Sequence, residues 1–151
     1  MDSQQQFLSE LTTLLDKISL LSHDVLSQQL KGYKAAEVHT IEYIQKHPES
    51  NASQIASGLY VTRGAVSKMT RRLMDRQLIE RYQKAGNRKE TYFRLTATGQ
   101  QVFEIHERLN RQFEARDQVV FERASDQEVS ATLQFLQAYN AHLDAELKKT
   151  K

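Results

Sequence analysis

The most constraining stretch of this sequence is residues 51–73, which read as two short helices joined by a tight turn. Apolar residues recur there at helical spacing, which indicates faces that turn inward; they are Ile55, Ala56, Leu59, Val66, Met69 and Leu73. We expect Ser57 and Gly58 to end the first helix, since glycine tolerates a left-handed backbone. We expect Val61 to fill the turn and the Thr62 hydroxyl to cap the second helix. The stretch therefore predicts a helix-turn-helix.

The outer face of the second helix, traced at about 100° per residue, is small, polar and basic. Its residues are Gly64, Ser67, Lys68 and Arg71, with Arg63 at the flank. Short hydrogen-bonding and cationic side chains are those that read base edges in a DNA major groove. Two core helices with a solvated basic face would show the same apolar spacing, so the spacing alone leaves both interpretations open.

Charge separates the middle of the chain from its flanks. Residues 52–95 hold ten Lys/Arg against three Asp/Glu, a net charge of +7, within a chain whose total is +2. The remaining residues hold 11 Lys/Arg against 16 Asp/Glu, a net charge of −5. A basic segment that coincides with a helix-turn-helix favours nucleic-acid binding.

Composition excludes several classes of protein. The 151 residues suit one domain, or one domain with helical extensions, and the absence of cysteine excludes disulfides and thiolate metal sites. There is no apolar run of about 18 residues and no signal-peptide pattern, so we expect a cytoplasmic protein without membrane contact. Because no glycine-rich phosphate loop, His-Glu-x-x-His motif or cysteine nucleophile occurs, we expect neither an enzyme nor a bound cofactor.

Two helices are predicted ahead of the helix-turn-helix. The first covers about residues 4–30, carries a wide leucine-rich stripe and ends at Gly32. The second covers about residues 35–46 and stops at Pro48, because the residue before a proline disfavours the helical region. The width of the first stripe indicates burial against more than one neighbour.

A β-hairpin is predicted after the helix-turn-helix. β-Favouring residues cluster at 78–82 and at 91–95, and residues 83–90 between them read as a polar, basic loop with a turn glycine. A β-hairpin that directly follows a helix-turn-helix is the wing of a winged helix.

Two long helices complete the chain. One is predicted from about residue 96 to 124, and Ser125 with Glu128 forms a capping box for the last one. Asn51 and Gln54 read as a similar box at the start of the helix-turn-helix. The first helix and the last two are candidates for one helical layer.

This order of elements resembles the MarR family of bacterial winged helix-turn-helix transcription regulators. The resemblance is carried by residues 51–73, by the segment Leu78-Ile79-Glu80-Arg81, by the basic wing and by Leu95-Thr96-Ala97-Thr98-Gly99. The last segment is similar to the family's Leu-Thr-x-x-Gly junction between wing and long helix.

The resemblance implies a mainly α fold and an obligate homodimer. Residues 1–34 and 100–151 would form a helical dimerisation layer, and residues 35–99 a winged helix-turn-helix DNA-binding domain. Such a dimer would bind a pseudo-palindromic operator, more often as a repressor, with its recognition helices in successive major grooves about 34 Å apart. The residues expected at the DNA are Ser53, Thr62, Arg63, Gly64, Ser67, Lys68, Arg71, Arg88 and Lys89.

The wing departs from the family pattern. Family wings often read Asp-x-Arg, with an arginine that enters the minor groove, whereas this chain reads Asn87-Arg88-Lys89. Lys89 stands where that arginine is commonest, but we expect Arg88 to probe the groove because a guanidinium is less strongly hydrated than an ammonium. Asn87 lacks the charge for the usual salt bridge, which predicts a looser wing.

The family also implies relief of repression by a small ligand. The walls of its pocket are expected near Leu21, His39, Tyr43, Phe103 and His106.

Two alternatives remain open. Zinc-responsive members exist, and His39 and His106 fall at ligand-like positions with Asp24 or His23 as a third. However, a further histidine of that pattern is Asn110 here and the cysteine is absent, so we predict no metal site. The second alternative is a winged helix that makes only protein contacts.

Overall fold

The computed structural model describes residues 2–150 and consists of six helices and a two-stranded antiparallel sheet. The elements in chain order are α1 (Ser3–Gln29), α2 (Ala35–Lys46), α3 (Ala52–Leu59), α4 (Arg63–Asp75), β1 (Ile79–Lys84), β2 (Asn87–Leu95), α5 (Ala97–Arg123) and α6 (Asp126–Lys149). The predicted fold class, mainly α with a winged helix-turn-helix, is confirmed. Among the residues described, no helix is long and apolar enough to cross a membrane.

The predicted helix starts are confirmed by their caps. The Asn51 side chain accepts a hydrogen bond from the Gln54 amide at 2.9 Å, and the Gln54 side chain accepts one from the Asn51 amide at 2.8 Å. Ser125 and Glu128 make the same reciprocal pair at the start of α6. Each box satisfies amide donors that the first helical turn leaves without a partner.

The core lies among α2, α3, α4, the wing and the first half of α5. It is almost entirely aliphatic, and its buried members are Leu30, Val38, Ile41, Ile44, Ile55, Ala56, Val66, Leu73, Leu78, Ile79, Phe93 and Val102. The inward faces predicted for residues 51–73 supply a large part of this cluster. The packing fixes α4 on α2 and α3 and so leaves one face of α4 to solvent.

The end of α3 differs from the prediction at Gly58. The helix continues to Leu59, and Tyr60 rather than glycine takes the left-handed backbone, with φ of 57°. Gly58 instead gives room to the Tyr43 ring of α2, which a Cβ atom at residue 58 would overlap. The expectation that Val61 fills the turn is also wrong, because this side chain is 46% exposed.

The predicted loop at residues 83–90 is wrong. β1 runs to Lys84 and β2 begins at Asn87, so only Ala85 and Gly86 make the turn, with Gly86 at φ of 84°. The backbone ladder of an exposed hairpin needs no apolar face, and a short turn with a left-handed glycine is enough to close it. Polar residues therefore continue both strands.

The chain forms two compact units, residues 1–110 and residues 111–151. The first holds α1 to α4, the wing and the start of α5; the second holds the rest of α5 and α6. The predicted division into 1–34 with 100–151 and 35–99 concerns a paired molecule and stays a prediction.

Several helices expose large apolar side chains. No residue of α1 or α6 is buried over the residues that the structure describes. Exposed members on α1 are Leu8, Leu14, Leu15, Ile18, Leu20 and Leu21, and those on the later helices are Val119, Val120, Phe121, Leu133, Phe135, Leu143 and Leu147. The stripe predicted to be buried on α1 is thus open to solvent within a single chain.

Candidate nucleic-acid interface

Helix α4 presents a polar, basic face to solvent. The Thr62 hydroxyl accepts a hydrogen bond from the Ala65 amide at 3.1 Å, which caps the helix as predicted. The opposite face is buried through Val66, Thr70 and Leu73, and the Thr70 hydroxyl donates to the Val66 carbonyl at 2.9 Å. Since that face is fixed in the core, the reading face of α4, defined here as Ser67, Lys68 and Arg71, is exposed to solvent.

The start of the helix-turn-helix adds further exposed groups. Ser53 lies in the first turn of α3, and Arg63 and Gly64 lie in the first turn of α4; all three are exposed. A Cβ atom at Gly64 would meet nothing nearer than the Thr62 hydroxyl at 3.9 Å. Packing within the protein therefore does not require glycine there, and the position offers bare backbone to whatever approaches α4.

The wing carries Arg88 and Lys89 near its tip, both exposed and both in β2. The Gln83 side chain donates to the Arg88 carbonyl at 2.8 Å, and the Asn87 side-chain oxygen Oδ1 accepts from the Glu90 amide at 3.3 Å. The first bond joins the two strands and the second lies within β2, and together they brace the tip. Asn87 thus makes neutral hydrogen bonds in place of the salt bridge that an aspartate would make in the family pattern.

An ion pair holds the end of β1, beside the turn of the wing. Lys84 Nζ lies 2.8 Å from Glu49 Oε2, in the loop between α2 and α3, and 4.7 Å from the centroid of the Tyr92 ring. The hydrogen bond to Glu49 raises the pKa of the Lys84 ammonium. The pair is exposed, so it orients the wing more than it stabilises the fold.

The residues expected at a ligand pocket are only partly brought together. A groove of about 300 Å³ is lined by His39 and Tyr43 among the five, together with Glu42, Lys46, His47, Gly58, Leu59 and Tyr60. Leu21, Phe103 and His106 are not among its lining residues. The Tyr43 ring stacks on His47 at 4.0 Å, so one wall of the groove is a flat aromatic surface.

A cluster of charged residues joins α2 to α5. Lys46 Nζ lies 2.7 Å from Glu42 Oε1 and 3.0 Å from Glu107 Oε1, and His106 Nδ1 lies 3.4 Å from Glu42 Oε2. Burial lowers the pKa of the His106 imidazole, which Glu42 partly opposes and the nearby His39 reinforces. At neutral pH the cluster is therefore a network of carboxylates around one ammonium.

This cluster does not fit the zinc ligands considered from the sequence. Ligand atoms of Glu42, His106 and Glu107 lie within 4.8 Å of one another. The ammonium of Lys46 already lies between the two carboxylates, where a cation would bind. Asp24 and His23 stay outside this group as an exposed pair 3.9 Å apart.

Sequence reasoning missed the ion pair between Glu37 and Arg76. Arg76 Nη1 donates to Glu37 Oε2 at 2.6 Å, across 39 residues of sequence. The only available signal was a charged residue on the inward face of α2, since Glu37 stands at helical spacing from Ile41 and Ile44.

Comparison with known proteins places this geometry in a family. Residues 34–91 match the MarR family model. The HTH-type transcriptional regulator PchR of Bacillus subtilis (strain 168) is 32% identical over 109 residues, which are 72% of this chain. The matched part spans 64% of the length of PchR.

Solved structures share the fold. The Streptococcus pneumoniae FabT structure in complex with DNA superposes with a TM-score of 0.81 at 24% identity, covering 95% of this chain and 99% of FabT. A Staphylococcus aureus MarR structure in complex with salicylate and kanamycin gives a TM-score of 0.74 at 18% identity, covering 95% of this chain and 93% of that one. The predictions of the family and of a protein that is not an enzyme are confirmed: this chain belongs to the MarR family of winged helix-turn-helix transcription regulators.

Proposed function

We propose that this protein is a homodimeric repressor that binds a pseudo-palindromic DNA operator and is released by a small ligand. The observation that carries the proposal is the reading face of α4, which is exposed and basic while the opposite face of the helix is buried. A rigid helix with one accessible face of this composition suits insertion into a major groove. The DNA complex of the similar FabT fold supports the same function.

The proposed contacts divide into three groups. Ser67, Lys68 and Arg71 approach base edges, where an arginine can donate to guanine through two nitrogens. The groups at the helix starts bind phosphates, which fix register without reading sequence; they are Ser53, Thr62, Arg63 and Gly64. The wing residues Arg88 and Lys89 lie along the flanking minor grooves.

The proposed dimer is supported by the apolar residues exposed on α1, α5 and α6. Leu15, Val120, Phe121 and Leu133 are each more than half exposed in the single chain. Burying each such side chain contributes about 1.5–3 kcal/mol. A second copy of the chain would cover them and place two reading faces on one duplex.

The proposed effector site is the groove beside Tyr43 and His47. Its stacked aromatic wall suits a planar aromatic molecule. The salicylate complex of the similar S. aureus structure supports an aromatic effector for this fold. A ligand bound there would favour one of two dimer shapes and so change the spacing of the recognition helices.

The DNA proposal is tested by selecting duplexes from a random pool with the full chain and measuring affinity at several salt concentrations. We expect an enriched sequence with two related half-sites about one helical turn apart. In transcription from a promoter carrying that sequence, added protein should lower transcript yield. Failure to enrich any sequence would contradict DNA recognition and favour a winged helix that contacts only proteins.

The dimer proposal is tested by sedimentation. Leu15→Glu places a charge on the exposed apolar stripe of α1 and should convert a dimer into a monomer. Thr13→Glu, on the same helix, is the matched control and should leave the mass unchanged. A wild-type chain that sediments as a stable monomer would overturn the dimer.

A further inference from the structure

Glu37 and Arg76 join the start of α2 to the end of the recognition helix. Glu37 is 2% exposed, whereas the Arg76 side chain is 36% exposed, and the pair is 2.6 Å long. Arg76 is the residue that directly follows α4. The contact therefore holds the end of α4 against a buried, charged anchor.

The anchor itself is fixed in orientation. The second oxygen of the Glu37 carboxylate accepts a hydrogen bond from the Lys34 amide at 3.1 Å, ahead of the first turn of α2. Because Oε1 is bonded at the start of α2, the carboxylate is held in one orientation, and Oε2 accepts from Arg76 in a fixed direction. Charge-assisted bonds of this kind are short and directional.

A third contact holds the guanidinium from another side. The Arg76 Cζ atom lies 4.5 Å from the centroid of the Tyr33 ring. Tyr33 belongs to the turn between α1 and α2, whose shape depends on Gly32 at φ of 89°. The end of α4 is thus bound both to α2 and to the turn that follows α1.

A change in the angle of α4 at its C-terminal end would displace its N-terminal end, where residues face the DNA in the proposed complex. With 13 residues α4 is about 20 Å long. A tilt of about 10° about Arg76 would move the first turn of α4 by roughly 3 Å. Contacts that recognise a ligand must be held to within about 0.5 Å.

We infer that Glu37 and Arg76 are positioning residues for sequence recognition: their ion pair sets the angle of α4, and Ser67, Lys68 and Arg71 read DNA only at that angle. The inference rests on the proposed DNA-binding function. It predicts that breaking the pair lowers affinity for the correct sequence while affinity for unrelated DNA persists, because phosphate contacts tolerate a small tilt.

The test is a double-mutant cycle in the full chain with Glu37→Gln, Arg76→Gln and the two combined. Glutamine at 37 keeps an acceptor for the Lys34 amide. Two probes are used, a duplex selected by the wild-type protein and an unrelated duplex of equal length. Each single variant should bind the selected duplex about tenfold more weakly, the double variant no more weakly than either, and the unrelated duplex should change less than about twofold.

Arg111→Gln is the matched control, because it removes one positive charge from an exposed position of α5. It should weaken both duplexes equally and slightly. Equal losses on both duplexes for the Glu37 and Arg76 variants would show a general effect of charge or stability and overturn the inference. Circular dichroism at the assay temperature establishes that each variant is folded.

Arg76→Gln leaves Glu37 buried without its cation and can prevent folding. Glu37→Gln and the double variant then decide, and both should show the same tenfold loss on the selected duplex. Wild-type affinity for the selected duplex in these two variants would overturn the inference and leave the proposed function standing. A wild-type protein that selects no sequence would overturn the proposed function and the inference with it.

Discussion

The Thr96 hydroxyl donates a 2.6 Å hydrogen bond to the carbonyl oxygen of Gln77, which fixes the residue before α5 to the segment that follows α4. The Thr96 hydroxyl oxygen also accepts a hydrogen bond from the Gly99 amide at 3.1 Å, and the Thr96 amide donates to the Leu78 carbonyl at 3.1 Å. These bonds give a physical account of the Leu-Thr-x-x-Gly junction. A displacement of α5 reaches the end of the recognition helix through directly bonded groups.

Thr96→Val should lower the free energy of unfolding by about 1–3 kcal/mol, since it removes the hydroxyl that serves both α5 and Gln77. Urea denaturation measures the change. Thr132→Val removes a hydroxyl that bonds only within exposed α6 and should cost less than about 0.5 kcal/mol. Equal effects of the two substitutions would show that the hydrogen bonds of the junction add no more to the free energy of unfolding than one exposed helical bond does.

Gly99→Ala should destabilise the chain by about 1–3 kcal/mol. Its Cβ atom would overlap the Leu78 carbonyl oxygen, a backbone atom that no rotamer change can move. Gly64→Ala is the contrasting case, since the space there is open, and it should stabilise the free protein by about 0.5–1 kcal/mol. Thermal unfolding of both variants without DNA gives the comparison, and a neutral Gly99→Ala would contradict the close packing.

Arg71→Ala should lower the preference for the selected duplex over an unrelated one by about 1–3 kcal/mol, because a base-edge contact is lost. Lys89→Ala should weaken binding to both duplexes and reduce the salt slope by about one. Titrations at several salt concentrations separate the two outcomes. Binding that is insensitive to both changes would refute the proposed interface.

The buried His106 should make stability depend on pH. Burial lowers the pKa of its imidazole below the usual 6.5, so the unfolded chain takes up a proton at a higher pH than the folded chain does. The free energy of unfolding should therefore be highest above about pH 7 and fall as the pH drops through 6.5 towards the lowered value.

His106→Gln should flatten this pH profile, which urea denaturation between about pH 5 and 8 would record. His142→Gln, at an exposed position of α6, serves as the control and should preserve the wild-type slope. Parallel profiles for the wild type and His106→Gln would assign the pH dependence to other groups.

Local chemistry explains which parts of the fold could be predicted. The capping pairs at Asn51 and Ser125, the Thr62 cap and the apolar spacing of α4 all operate within a few residues, and the structure confirms each. The length of the wing strands could not be predicted, because residues 83–90 have no apolar alternation and their one backbone pair, Lys84 with Asn87, follows an irregularity in the register.

Contacts between distant residues were beyond sequence reasoning. Gly58 reads as a helix end, but its partner is the Tyr43 ring of another helix. Glu37 reads as a first-turn acid, but its Oε2 atom accepts a hydrogen bond from Arg76, which only the packing of α2 on α4 brings near. The exposed reading face was predictable because its buried counterpart follows helical spacing, whereas the angle at which it is held depends on these distant pairs.

The extension of β2 over Arg88 and Lys89 has a consequence for the wing. The register of the hairpin is irregular between Tyr82 and Lys84, opposite these two cations, and a bulge of this kind re-aims the side chains of its strand. Exchanging them, as Arg88→Lys with Lys89→Arg, keeps composition and net charge constant while moving the guanidinium to the neighbouring position of the strand. The order of these two adjacent basic residues therefore determines where the guanidinium lies on the wing, a property that the net charge does not record.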